Sequence, residues 1–174
     1  MEDADPQTLE EDTEPPRMED VSAFCHRLNE LGARYVVVGG LAIQQAGYMR
    51  ATMDVDLIID VHPDNERKVL QAACELPQHV ATELKVGEVA EYTVVRIGDV
   101  FTLDLMKSAC GLGYDDVAPD AVTRDILGVL IPFASPKKLW LMKQTYREKD
   151  IGDRLFLKHL LGDDLPPTPP QARL

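Results

Sequence analysis

The sequence predicts one α/β domain, more closely α+β, in which helices flank a mixed sheet and the C-terminal segment is helical. Three observations predict it. "RYVVV" is a short continuous apolar run, as a strand covered on both faces requires, and it passes through Gly39-Gly40 into a helical stretch. "EYTVVRI" and "VFTLDLM" are rich in β-branched residues and separated only by Gly98-Asp99, which predicts a hairpin with a two-residue turn. The elements then run α-β-α-β-α-β-β-β-α, an order that builds a mixed sheet rather than a helical bundle or a sandwich.

The first helix is predicted in "EDVSAFCHRLNELGA", where Val21, Phe24, Leu28 and Leu31 share a face and Gly32 suits the position just past its end. After "RYVVV", "GGLAIQQAG" gives a short helix and "DVDLIID" the next strand. Pro63 fits the first turn of the helix "PDNERKVLQAACEL". The hairpin and the strand "GVLIPF" follow. Ser135 is a good N-cap, and Pro136 a good first residue, for the helical stretch "SPKKLWLMKQTYREKDIGDRLFLKHLL". There Leu139, Met142, Tyr146, Ile151, Leu155 and Leu160 recur at roughly helical intervals, Trp140 sits on an apolar face, and Gly152 marks a bend or break.

At 174 residues the chain fits one domain able to bury a real core, expected at 18–162. Residues 1–17 hold seven acids against Arg17 and three prolines, which predicts a disordered acidic tail, and the proline-rich 163–174 predicts a flexible one. Neither a secretory signal nor ~20 unbroken apolar residues is present, so no membrane partner is expected and the cytoplasm is the default. Cys25, Cys74 and Cys110 are scattered, which predicts reduced, buried thiols rather than a zinc site. A net charge of −12 disfavours broad nucleic-acid binding, with a local basic patch at 137–154 as the exception.

The chemistry gathers on carboxylates. Asp54 and Asp56 alternate with Val55 and Leu57 in an apolar strand, so both point to one face. Two such neighbours repel, and the pKa of one rises unless a cation intervenes. Hard divalent ions such as magnesium prefer oxygens of this kind. Asp104 in "FTLDLM" is a third strand-borne acid. Gly39-Gly40 lets a phosphate approach the backbone at a strand-to-helix turn. Each feature alone also has a plain account: acids meeting water at a sheet rim, or a tight turn. Neither GxGxxG nor GxxxxGK[ST] is present, which makes a Rossmann-like nucleotide sensor the weakest reading.

Taken together, these residues resemble the nucleotidyltransferase superfamily that includes polymerase beta. The likeness is to its small bacterial branch of minimal nucleotidyltransferases and abortive-infection toxins. GG-x-A appears as Gly39-Gly40-Leu41-Ala42, and R-x-T-x-D-[IV]-D-L as Arg50 to Leu57. Lys143, Arg147, Lys149, Asp150 and Asp153 occupy the positions of the branch's M-K-…-R-x-K-D-x-x-D motif, and the likeness spans roughly residues 20 to 162. Many relatives carry Gly-Ser where this chain has Gly39-Gly40, so a serine hydroxyl that would touch the terminal phosphate is absent.

The resemblance implies transfer of a nucleoside monophosphate from a nucleoside triphosphate to an acceptor hydroxyl, with release of pyrophosphate. It implies Asp54, Asp56 and Asp104 as catalytic and metal-binding residues holding two Mg2+ ions, with Mn2+ as a substitute, and Asp104 assisting the base. Gly39, Gly40, Arg50, Thr52, Lys143 and Asp150 are the implied nucleotide-binding residues. Arg50, Thr52 and the charges of 137–154 also suit loop anchoring and ordinary i,i+4 pairing. The acceptor is open among tRNA, a protein and a small molecule, and the branch implies an antitoxin partner. The competing expectation is a catalytically idle member of the fold that serves as a binding or scaffold protein.

Overall fold

The computed structural model describes residues 14–168. Its first helix, α1 (Met18–Glu30), ends as the sequence predicts: Gly32 takes a positive φ of 64° just beyond the last turn. β1 (Tyr35–Val38) is buried along its whole length and passes directly into α2 (Gly39–Gln45). β2 (Asp54–Ile59) alternates at its start, with Val55 and Leu57 buried and Asp54 and Asp56 partly open. α3 (Pro63–Cys74) has proline in its first turn and the His62 ring as its cap. α4 (Glu88–Glu91), β3 (Val94–Gly98) and β4 (Thr102–Met106) follow.

A small hairpin of β5 (Ser108–Ala109) and β6 (Leu112–Gly113) leads through α5 (Tyr114–Val117) to β7 (Val122–Ile126) and β8 (Val129–Phe133). α6 (Pro136–Met142) and α7 (Lys149–Leu161) close the chain. The six-stranded sheet has the order β3-β4-β2-β1-β8-β7. β1 pairs antiparallel to β2 and parallel to β8, β2 pairs parallel to β4, and each edge is an antiparallel hairpin. α1 packs on α3 and β8, while α2 packs on β1, β2 and α6. The mixed sheet with flanking helices is thus the predicted class.

Five local expectations are corrected. The β3–β4 loop has three residues, not two. Asp99 accepts hydrogen bonds from the backbone of Gln78 (3.0 Å), Val80 (3.4 Å) and Val100 (2.8 Å), and Phe101 turns fully inward against Phe24. β7 was not expected, because Thr123, Arg124 and Asp125 are exposed on an edge strand. Its two-residue turn to β8 places Leu127 (φ 53°) and Gly128 (φ 84°) in the left-handed region, where leucine gives no turn signal.

The terminal helix breaks at 143–148 rather than at Gly152, which lies inside α7. A side chain at Gly152 would meet the Tyr48 hydroxyl at 2.9 Å, so that glycine marks a close approach. α7 buries Asp150, Asp153 and Leu157, whereas Ile151, Leu155 and Leu160 face outward and Tyr146 lies exposed in the break. The apolar positions of 146–160 therefore do not form the buried stripe their spacing suggested. Of the three thiols, Cys25 is buried and Cys110 is exposed, against the expectation that all are buried.

Of the expected tails, residues 1–13 and 169–174 lie outside the described residues. Residues 165 and 166 pack on the protein: Leu165 is half-buried, and Trp140 Nε1 donates to the Pro166 carbonyl at 3.1 Å. Trp140 itself is in the core. Among the described residues, no helix is long and apolar enough to cross a membrane.

Candidate active site

Strand register brings the acids together. In the parallel pairing of β2 with β4, Asp56 lies directly opposite Asp104 and Asp54 opposite Thr102. Side chains at directly opposed positions leave the sheet on the same face, and Asp54 shares that face with Asp56. All three open into a cavity of about 840 Å³, which Gly39, Gly40, Arg50, Thr52 and Lys143 also line. Eight of the nine residues singled out from the sequence thus border one space. The ninth, Asp150, is fully buried behind it.

Gly39 and Gly40 make the close approach possible. Gly39 has φ 63°, and a β-carbon there would overlap the Asp56 carboxylate. A β-carbon on Gly40 would overlap the Thr52 side chain. The glycines let the start of α2 lie against β2 and the loop before it, with no side chain between the backbone and the acids. Thr52 also donates to the Asp54 carbonyl at 3.3 Å, which ties the loop to the strand carrying the acids.

Asp56 stands without a protein hydrogen-bond donor among the described residues. Burial, with the nearby charges of Asp104 and Asp54, pushes its carboxyl up to about 6, although Lys143 and Lys149 pull the other way. Asp104 is held differently. Arg96, directly across from it in the β3–β4 pairing, donates through Nε to Oδ1 at 2.9 Å and through Nη2 to Oδ2 at 2.8 Å. The same Nη2 lies 3.7 Å from Asp54 Oδ2.

As the side chains stand, no three His, Cys, Asp or Glu residues among those described are arranged to hold a metal ion. The donor set still suits one in kind. Asp54 and Asp56 offer carboxylate oxygens that accept no hydrogen bond from the described side chains, and a divalent cation offsets both the burial and the repulsion that raise Asp56.

A second charged cluster forms the wall beside the acids. Lys143 Nζ lies 2.9 Å from both Asp150 Oδ1 and Asp153 Oδ2, all three side chains being nearly or fully buried. Arg50 Nη2 donates to Asp153 Oδ2 at 3.1 Å, while its Nε lies 2.8 Å from Oδ1 but out of line for a hydrogen bond. Asp150 also accepts from the Thr145 hydroxyl and from Arg147 Nε (3.0 Å). Burial alone would raise the Asp150 carboxyl, but hydrogen bonds from Thr145 and Lys143 and the charges of Lys143 and Arg147 outweigh it, holding it below the usual carboxylate range. Arg154 donates to the Lys143 and Thr145 carbonyls at 3.0 and 2.8 Å, satisfying the backbone where the helix breaks.

Sequence reasoning missed Arg96. A lone polar side chain amid "TVVRI" was the only signal, and its meaning depends on register. It also placed Asp150 among nucleotide contacts, whereas here Asp150 anchors Lys143 and the 143–148 segment.

No family model matches the chain, and no curated protein is similar in sequence. Solved structures do match. An antigenic nucleotidyltransferase-like protein from Paracoccidioides brasiliensis superposes with a TM-score of 0.52 at 18% identity, covering 82% of this chain and 75% of that one. The lincosamide antibiotic adenylyltransferase LnuA, with lincomycin bound, gives a TM-score of 0.52 at 13% identity, covering 84% of this chain and 99% of LnuA. With its mixed sheet and the carboxylates of β2 and β4 beside a glycine turn, the chain has the nucleotidyltransferase fold.

Proposed function

We propose that the cavity binds a nucleoside triphosphate and supports transfer of a nucleoside monophosphate to an acceptor hydroxyl, releasing pyrophosphate. The observation that carries this reading is the convergence of Asp54, Asp56 and Asp104 from two parallel strands beside Gly39. Asp54 and Asp56, with Asp104, would hold Mg2+. Such ions supply charge neutralisation on the phosphates and activation of the attacking oxygen. The chain's own residues do the rest. Gly39 and Gly40 bring the start of α2 against Asp56 and Thr52, so the backbone there borders the space a phosphate would take. Arg147 and Lys149 line the wall and offset its charge. Lys143, committed to Asp150 and Asp153, fixes that wall more than it meets substrate.

The acceptor side is more apolar, with Val94, Met106, Ala109 and Met142 on the cavity wall. With a chain charge of −12, this surface suits a small molecule presenting a hydroxyl better than a polyanion such as tRNA. The match to an adenylyltransferase of an antibiotic supports the same choice. The test incubates the protein with each labelled triphosphate, Mg2+ and a panel of hydroxylated small molecules, proteins and tRNA. Label transfer that vanishes in a folded Asp56→Asn variant is the expected result, and transfer unaffected by that change overturns the reading.

The Arg96–Asp104 fork favours a second reading, a catalytically idle member of the fold that serves as a binding or scaffold protein for a partner, since one of the three acids is already occupied. Calorimetric titration with ATP and Mg2+ separates the two at the first step. Absence of binding for every nucleoside triphosphate leaves the idle protein.

A further inference from the structure

β3 is an edge strand whose inward positions, Val95 and Ile97, are buried, while Val94, Arg96 and Gly98 face out. That alternation aims Arg96 at the face where the three acids lie, and register sets it opposite Asp104. Of the other cations lining the cavity, Lys149 bears on Asp56 through its charge alone, and the rest have partners elsewhere. Lys143 bonds Asp150 and Asp153, Arg50 bonds Asp153, and Arg147 bonds Asp150. Among the described residues, Arg96 is the cation that hydrogen-bonds Asp104, and its Nη2 also lies 3.7 Å from Asp54 Oδ2.

We propose that Arg96 is an internal counter-ion of the acid cluster, which an arriving divalent cation must displace from Asp104. The inference rests on the metal-binding reading above. The fork takes both Asp104 oxygens, so the guanidinium and a metal ion compete for the same atoms. The Arg96 side chain is 55% exposed, so it can leave Asp104 without breaking the core and regain water as it goes. While it stays, it neutralises part of the repulsion among three clustered carboxylates. Once displaced, its planar fork is free to meet a phosphate, the other partner that geometry fits. Arg96 is accordingly a positioning residue: it holds Asp104 ready in the absence of metal and sets how tightly metal binds.

The test is calorimetric titration of Mn2+ alone into the full chain and into Arg96→Gln and Arg96→Lys. Circular dichroism and thermal melts confirm that each variant is folded. Loss of the competing fork is expected to tighten Mn2+ binding about tenfold in Arg96→Gln. Arg96→Lys, which keeps the charge but cannot make the fork, is expected to tighten it severalfold. Equal or weaker binding in Arg96→Gln overturns the proposal while the carboxylate site stands. A gain in Arg96→Gln with none in Arg96→Lys also overturns it, because charge alone then accounts for the effect. If neither wild type nor variants bind Mn2+, the metal reading falls, and this inference falls with it.

Discussion

Gly39 and Asp56 share a space that holds only one side chain. With φ at 63°, Gly39 turns the α2 backbone so that its missing β-carbon points at the Asp56 carboxylate. Gly39→Ala therefore meets two penalties, left-handed backbone strain and collision with a charged group. It is expected to cost about 1–3 kcal/mol of stability, read from urea denaturation. It should also push Asp56 out of line and lose nucleotide transfer even where the variant folds.

Asp56 gives the metal-free protein a pH signature. Its folded carboxyl, near 6, holds a proton more tightly than the unfolded chain does at its ordinary 3.8. The resulting stability is fully present below about pH 4 and is lost as pH rises through 6. Asn has no such loss. Asp56→Asn in the presence of chelator is thus expected to be more stable than wild type above pH 7, by at most about 3 kcal/mol. The gap should shrink as pH falls from 6 to 4. Melts that run parallel across this range would refute the buried, repelled carboxylate.

Register explains what was legible in the sequence and what was not. The acids of β2 and β4 could be found because each interrupts an apolar strand, and the glycine pair because only glycine fits that turn. Arg96 could not. A two-residue turn at Gly98-Asp99 would set Thr93, not Arg96, across from Asp104; the observed three-residue loop, drawn in by Phe101 and Asp99, restores Arg96. The polarity of α7 was hidden for a related reason. Periodicity assumes that apolar residues face inward, yet here two buried aspartates pair with Lys143, Arg50 and Arg147, and Leu155 and Leu160 face out.

That inversion is testable on α7. Asp153→Ala leaves Lys143 and Arg50 buried or half-buried with one carboxylate fewer between them, and is expected to cost about 3–5 kcal/mol. Leu155→Glu, on the exposed side, should change stability by no more than about 0.5 kcal/mol. Thermal denaturation of the two variants checks the contrast. A costly Leu155→Glu beside a harmless Asp153→Ala would mean the helix is rotated.

Gly40 and Thr52 form a second exclusive pair, and it bears on the serine that the sequence resemblance leads one to expect at position 40. A side chain at position 40 would meet Thr52 Cβ at 2.7 Å and overlap its hydroxyl, with the Arg50 guanidinium next at 3.1 Å. Gly40→Ser is therefore expected to destabilise this chain by about 1–3 kcal/mol, as overpacking does, rather than to improve phosphate contact. Thr52→Ala removes the hydroxyl but leaves its β-carbon in the way, so it should recover only part of the loss. Thr52→Gly clears the space, and the double variant is expected to show a favourable coupling of about 1 kcal/mol or more in a double-mutant cycle. Additive effects would mean that the two residues do not compete. The threonine would then not be what keeps position 40 a glycine.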